Sequence, residues 1–241
     1  MIALFTDFGL TGPYVGQLHA VLARCAPGVP VIDLLHDVPR ENIRAGAYLL
    51  PSLLAPFPAS TVFLCVVDPG VGSNRRAVTV WIDGCWFVGP DNGLFHVLAN
   101  RAVQVDSREI LWRPSRLSAS FHGRDVFAPV AAALACGTMP ESCRIDLAAP
   151  PDSPWPDDLP EVIYVDGFGN AVTGVRAGSV QTGQVLRIGG QTVRHAATFS
   201  AVAPGEIFWY RNSSDLVEVA INGGSASDEL GLQVGDRMEM E

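Results

Sequence analysis

Four short stretches set polar side chains where apolar runs stop: TDFG (6–9), VVDPGVGSNRR (66–76), FHGRD (121–125) and DGFGN (166–170). Strand ends of this kind are where α/β proteins hold their ligands. The second and third supply an aspartate, an arginine and a histidine, Asp68, Arg75 and His122. A carboxylate held near a guanidinium stays ionised well below its usual value of about 3.9, which makes it a weak base but a firm anchor for a water molecule.

Each motif also has a plainer reading. DPGVG is first of all a tight turn, since proline presets its φ and glycine accepts conformations closed to other residues. His122 precedes an apolar helical stretch and can be an ordinary helix-start residue. Asp7, at the end of the first strand, either caps the next helix or accepts from ribose hydroxyls. DGFGN is a glycine-permitted hairpin or a loop that presents a carboxylate and an amide. GPDNG (89–93) reads as a turn into a helix with its asparagine as cap.

The elements that position these groups alternate. Apolar β-type runs at 2–5, 29–34 and 61–67 enclose helical stretches at 15–25 and 43–54, the βαβ signature. TVFLCVV is apolar on both faces, as expected of a central strand covered on two sides. Further strands are expected at 77–82 and 86–88, and a helix at 126–134. The stretch 149–160, with five prolines and three aspartates, suits an exposed semi-rigid linker. Beyond it, short runs at 162–165, 185–188, 192–195, 207–210 and 216–221 are separated by turn residues. The expectation is a Rossmann-like N-terminal α/β domain with a mostly parallel sheet (1–148), a linker (149–160) and a small C-terminal antiparallel β-barrel domain (161–241).

Composition bounds the chemistry. The 241 residues, 48% hydrophobic and 17% charged, can bury a real core. A net charge of −9 argues against non-specific binding to nucleic acid or an anionic membrane and favours a small cationic ligand. All 16 basic residues are arginine, so Schiff-base chemistry and a P-loop lysine are excluded. The five cysteines form no C-x-x-C pair and are expected to be reduced and mostly buried; the histidines show no metal-ligand spacing. No apolar run is long enough to span a bilayer, and the N-terminus reaches an aspartate too early for a signal-peptide core. A cytoplasmic protein is expected.

Taken together, TDFG, LLHDVPREN…AGAYLL, VVDPGVGSNRR, FVGPDNGLF, FHGRDVFAP, DGFGNAVTG and NSSDLVEVAINGGSA resemble, in order and spacing, the S-adenosyl-L-methionine hydroxide adenosyltransferases. This family is related to the fluorinating and chlorinating enzymes. The resemblance implies hydrolysis of S-adenosyl-L-methionine to adenosine and L-methionine, in some members with preference for the (R)-sulfonium epimer. It implies a homotrimer with active sites at subunit interfaces, and no cofactor or metal. The family's Asp–Arg–His set falls on Asp68, Arg75 and His122, whereas the halogenating relatives carry tyrosine in place of the aspartate and lack the other two. By the same resemblance Asp7 holds the ribose hydroxyls, Asn170 the adenine edge and Phe199 the face of the ring. Asp166 takes the methionine ammonium and Ser213 its carboxylate; Ser214 stands where the fluorinating relative has arginine. The alternatives are halide-dependent adenosyl transfer and a non-catalytic module that binds S-adenosylmethionine or adenosine.

Overall fold

A computed structural model describes residues 1–240 and divides them into two compact units, 1–50 with 54–154 and 51–53 with 155–240. The N-terminal unit runs β1 (Ile2–Thr6), α1 (Tyr14–Cys25), β2 (Val31–Leu35), α2 (Ile43–Ser52), β3 (Val62–Val66), β4 (Ala77–Ile82), β5 (Cys85–Pro90), α3 (His96–Arg101), β6 (Val105–Ile110), α4 (Ala128–Ala135) and β7 (Ser142–Arg144). Its sheet has the order β2-β1-β3-β5-β4-β6-β7.

The β2-β1-β3-β5 pairings are parallel, and those of β5-β4, β4-β6 and β6-β7 are antiparallel. The sheet is therefore evenly mixed and not mostly parallel. The cause is local. Asp83 and Gly84 join β4 to β5 with φ of 43° and 96°, the two positive values of a tight Asp-Gly hairpin turn, which forces its flanking strands antiparallel.

Both faces of the sheet are covered. On one, Leu18, Val21 and Leu22 of α1 and the small apolar residues of α4 pack on Ile2, Leu4, Val62 and Leu64. The alternate residues of β1 and β3, Phe5 and Phe63 among them, are equally buried, and Phe63 stacks on Phe87 at 4.9 Å. This is why TVFLCVV shows no polar alternation. The chain passes from β1 to β2 on one side and returns to β3 on the other. That reversal leaves a crevice at the carboxyl ends of β1 and β3, where Asp7 and Asp68 follow.

The C-terminal unit contains β8 (Leu159–Val165), β9 (Ala171–Arg176), β10 (Leu186–Ile188), β11 (Gln191–His195), β12 (Ile207–Arg211), β13 (Leu216–Ile221), α5 (Ala226–Leu230) and β14 (Glu239–Met240). Its sheet order is β14-β10-β11-β12-β13-β9-β8. Residues 235–238 return to β8 through backbone bonds of 2.8 Å, from Gly235 N to the Val162 carbonyl, from Val162 N to the Asp236 carbonyl and from Met238 N to the Pro160 carbonyl. The sheet is nearly closed into a barrel around Val162, Val193, Trp209, Val217 and Val219. One pair, β11 with β12, is parallel, because the segment between them crosses back through a 3₁₀ turn at Phe199–Ala201.

Two local expectations differ. All five cysteines are free, but only Cys65 is buried, while Cys25, Cys136 and Cys143 are exposed at helix ends and on the edge strand β7. Within the proline-rich stretch Pro150 is buried. It lies so close to Gly93 that a Cβ there would stand 2.8 Å from the Pro150 Cβ.

Candidate active site

The N-terminal unit brings Asp68, Arg75 and His122 together. Asp68 follows β3 in a turn closed by Val71 N donating to its carbonyl at 3.2 Å and Ser73 N donating to the Gly70 carbonyl at 3.0 Å. Gly72, at φ 80°, lets this loop approach residue 119: a Cβ would stand 2.7 Å from the Ala119 carbonyl oxygen. The turn returns Arg75 onto Asp68. Nε donates to Oδ1 at 2.9 Å, and Nη2 makes a short contact with Oδ2, the bidentate fork that a guanidinium offers a carboxylate. Both side chains are nearly buried, at 9% and 5% exposure.

The same Nη2 lies 3.1 Å from Nδ1 of His122. Arginine can only donate, so Nδ1 is the acceptor and the imidazole proton sits on Nε2. His122 stands immediately before a π-helical turn, Gly123–Phe127, that runs into α4, and Phe127 of that turn packs under the guanidinium at 5.2 Å. Burial, followed by the Arg75 charge, lowers the His122 pKa from its usual value. The result is a carboxylate that accepts from Arg75 and a neutral imidazole whose one N–H, at Nε2, is free of that guanidinium.

Asp7 lies beside this group. Its backbone N–H donates to the Val66 carbonyl at 3.3 Å, and its Oδ2 accepts from Glu41 N at 2.9 Å. Burial raises its pKa, against the lowering effect of the Glu41 amide, and the Asp68 charge adds a smaller rise. Asn92 of the GPDNG turn does more than cap. Its Nδ2 donates to the Val67 carbonyl at 2.9 Å, which braces the end of β3 next to Asp68, while its Oδ1 accepts from Leu94 N at 3.2 Å. Phe8, Tyr14 and Phe121 form an aromatic cluster with centroids 5.2 to 5.8 Å apart, in which Phe8 and Phe121 close on Gly123.

The C-terminal unit gathers the other expected residues. Asp166, Asn170, Phe199 and Ser213 all line one cavity of about 740 Å³. Asp166 Oδ1 accepts from Phe168 N and Asn170 N, each at 2.9 Å, and Oδ2 accepts from Asn170 Nδ2 at 3.0 Å. The amide of Asn170 is thus engaged with Asp166, a tie that the motif alone does not convey. Gly169, at φ 81°, makes the loop possible, for a Cβ there would stand 2.0 Å from Ser225 Oγ.

Reasoning from sequence missed Tyr210, Asn212 and Glu218 in the same lining. The available signal was an acid in the middle of the apolar strand LVEVAI, since a buried carboxylate needs partners. Among the described residues no three His, Cys, Asp or Glu side chains gather as a metal site.

Residues 2–144 match the SAM hydroxide adenosyltransferase N-terminal domain and residues 160–239 the SAM hydroxide adenosyltransferase C-terminal domain. The chain is 40% identical to the (R)-S-adenosyl-L-methionine hydrolase of Salinispora arenicola, over 99% of this chain and 97% of that protein. It is 40% identical to the one of Thermus thermophilus, over 97% and 96%. A fluorinase of an Actinoplanes species is 25% identical over 57% of this chain and 55% of its own. The crystal structure of an uncharacterized conserved protein from Thermotoga maritima superposes with a TM-score of 0.88 at 34% identity, covering 100% of this chain and 99% of that one. With both of its units matched and relatives aligned end to end, the chain belongs to the S-adenosyl-L-methionine hydroxide adenosyltransferase family.

Proposed function

We propose that the protein hydrolyses S-adenosyl-L-methionine to adenosine and L-methionine, with the (R)-sulfonium epimer as preferred substrate. The observation that carries the reading is the single guanidinium, Arg75, that engages both Asp68 and His122. The relatives named (R)-S-adenosyl-L-methionine hydrolase support it in substrate and epimer.

In this mechanism a water accepts from Nε2–H of His122 and donates to Asp68, which leaves one lone pair to attack ribose C5′ in line. The O–C5′ bond forms as the C5′–S bond breaks, and the electron pair leaves on sulfur as a neutral thioether. The leaving group needs no acid. The water becomes acidic only as the bond forms, so late proton transfer to a weak base suffices, and Asp68 is the acceptor. Positive charge disappears from sulfur during the step, so the aromatic cluster of Phe8, Tyr14 and Phe121 favours it by excluding water. Arg75 orients the carboxylate through its bidentate contact.

For binding, Asp7 takes the ribose hydroxyls, Asn170 the adenine edge, Phe199 the face of the ring, Asp166 the methionine ammonium and Ser213 its carboxylate. The clustering of the last four residues around one cavity supports this division. The reaction as drawn uses no cofactor or metal. The family resemblance supports a homotrimer with sites at subunit interfaces. The composition supports a cytoplasmic enzyme, and among the described residues no helix is long and apolar enough to cross a membrane.

The test is incubation of the purified protein with both sulfonium epimers, with and without chloride, beside an Asp68→Ala control. Adenosine and methionine from the wild type alone are expected, with faster loss of the (R) epimer. A halogenated nucleoside would assign halide transfer instead, and bound substrate without product would assign a binding module.

A further inference from the structure

Residues of β12 and β13 alternate across the barrel wall. Ile207, Trp209, Val217, Val219 and Ile221 belong to the interior cluster, whereas Phe208 and Ala220 pack with Phe199, Val202 and Tyr210 in a separate one. Tyr210 and Glu218 are direct cross-strand partners, so the two-residue period of a strand puts both on that outer face, where both line the cavity. Glu218 is only 5% exposed and sits in a strand whose other residues are buried and apolar. A carboxylate so placed costs stability unless both its oxygens are engaged.

Both are, and each bond leads to a different wall of the cavity. Oε1 accepts from the Tyr210 hydroxyl at 2.6 Å. The Tyr210 ring meets Phe199 at 5.4 Å and 70°, and Phe199 in turn meets Phe208 at 5.0 Å. Oε2 accepts from Asn212 Nδ2 at 2.8 Å. Asn212 Oδ1 accepts from Ser214 N at 2.9 Å and Leu216 N at 3.0 Å, so this side chain shapes the turn that carries Ser213. Burial and the Glu218 carboxylate push the Tyr210 phenol above its usual range, which keeps its hydroxyl a donor.

We infer that Glu218 is a positioning residue for substrate binding, its two carboxylate oxygens fixing the Phe199 wall through Tyr210 and the Ser213 turn through Asn212. The inference rests on the substrate assignment above. It locates the effect in affinity and not in the chemical step, because the two walls carry residues assigned to binding, whereas the chemistry is assigned to Asp68, Arg75 and His122.

Geometry and charge are separable here. Asn212 cannot reverse its amide, since its oxygen already accepts two backbone N–H groups. A glutamine at 218 can still place its oxygen toward Asn212 Nδ2 and its NH₂ toward Tyr210, whose hydroxyl rotates to accept. Glu218→Gln therefore preserves both bonds without the charge, and Glu218→Ala removes both.

The experiment is steady-state kinetics with S-adenosylmethionine on the intact wild type, E218A, E218Q and Y210F, with calorimetric affinity for the same compound in an Asp68→Asn background. E218A is expected to raise KM and Kd about tenfold or more with kcat within about threefold. E218Q is expected to stay within about threefold of wild type in all three. Y210F, which cuts one bond and keeps the ring, is expected to fall between them and serves if E218A does not fold. Wild-type affinity in E218A, or in Y210F when E218A does not fold, overturns the inference, and so does a loss in E218Q equal to that in E218A. A protein that binds but does not hydrolyse removes the catalytic reading and leaves the affinity test standing; one that does neither overturns both.

Discussion

Arg75 holds His122 by Nδ1, at 3.1 Å from the same nitrogen that contacts Asp68. The contact decides the tautomer: Nδ1 must accept, and the only proton of the neutral ring points away on Nε2. Asp68 and His122 are thereby given opposite hydrogen-bonding roles, one accepting and one donating through the ring nitrogen that faces away from Arg75. A halide has no proton for the carboxylate and meets its negative charge, which disfavours it at this position.

Replacing Arg75 by lysine keeps the charge and loses the fork. A single ammonium cannot span both oxygens of Asp68 and also reach Nδ1 of His122 with the same planar geometry. Arg75→Lys is expected to lower kcat about a hundredfold with a smaller change in KM, read by single-turnover release of adenosine. Near-wild-type kcat in this variant would remove the bridging guanidinium from the mechanism.

The His122 contact also sets an acid limit. Burial and the Arg75 charge disfavour the imidazolium, so the pKa in the folded protein lies below the usual value of 6.5. Protonation puts a second proton on the ring, at Nδ1, where it opposes the Arg75 donor. Activity is expected to be full above that lowered pKa and to fall as pH drops through it. Stability follows the same sign: the unfolded chain binds this proton more readily, so the His122 contribution is present above pH 6.5 and is lost on acidification. A pH profile of kcat/KM for wild type and His122→Asn checks this, since the variant should lose the limb that begins below pH 6.5. Asp7, whose pKa is raised mainly by burial, is assigned to binding, so its protonation should appear in KM and not in kcat.

Asp68→Asn and Asp68→Ala separate charge from shape. The amide nearly preserves size but cannot take a proton, and it presents an NH₂ to one arm of Arg75 where the carboxylate accepted. Both variants are expected to lose at least about a hundredfold in kcat, with affinity for S-adenosylmethionine changed by less than about tenfold. Calorimetry of the inactive variants with intact substrate supplies the second quantity. Equal kcat in wild type and Asp68→Asn would show that the carboxylate does not receive the proton.

Much of this site is legible in the sequence, because strand ends announce themselves. The apolar runs leading to Asp7 and Asp68 stop abruptly at polar residues, and the paired ends of β1 and β3 turn that pattern into proximity. The strands at 77–82 and 86–88 were expected, but the Asp83–Gly84 turn that makes them an antiparallel hairpin was not read. The strand β6, VDSREI, and the strand β9, AVTGVR, escape pattern reading because polar residues or a glycine interrupt them; ladder hydrogen bonds with neighbouring strands decide their conformation. The tie between Arg75 and His122 joins residues 47 apart in the chain and has no local signature. Glu218 left a trace, an acid within an apolar strand, but which two groups it holds depends on the cross-strand register.

Two glycines divide binding from chemistry. Gly72 has φ 80° and a backbone oxygen, that of Ala119, 2.7 Å from where its Cβ would stand; it lies in the loop that returns Arg75 to Asp68. Gly169 has φ 81°, and a Cβ there would stand 2.0 Å from Ser225 Oγ; it lies in the loop that holds Asp166 and Asn170. The Ser225 hydroxyl caps α5 by accepting from Asp228 N at 3.1 Å, so it cannot swing away without uncapping the helix. Alanine at either position combines left-handed strain with a clash and is expected to cost about 2 kcal/mol or more of stability. The kinetic effects should differ in kind. Gly72→Ala displaces the Asp68–Arg75 turn and should act mainly on kcat, whereas Gly169→Ala deforms the cavity and should act mainly on KM. Thermal unfolding and steady-state kinetics on the two variants check this, and an effect of both on the same parameter would mean that the loops do not divide the work as assigned.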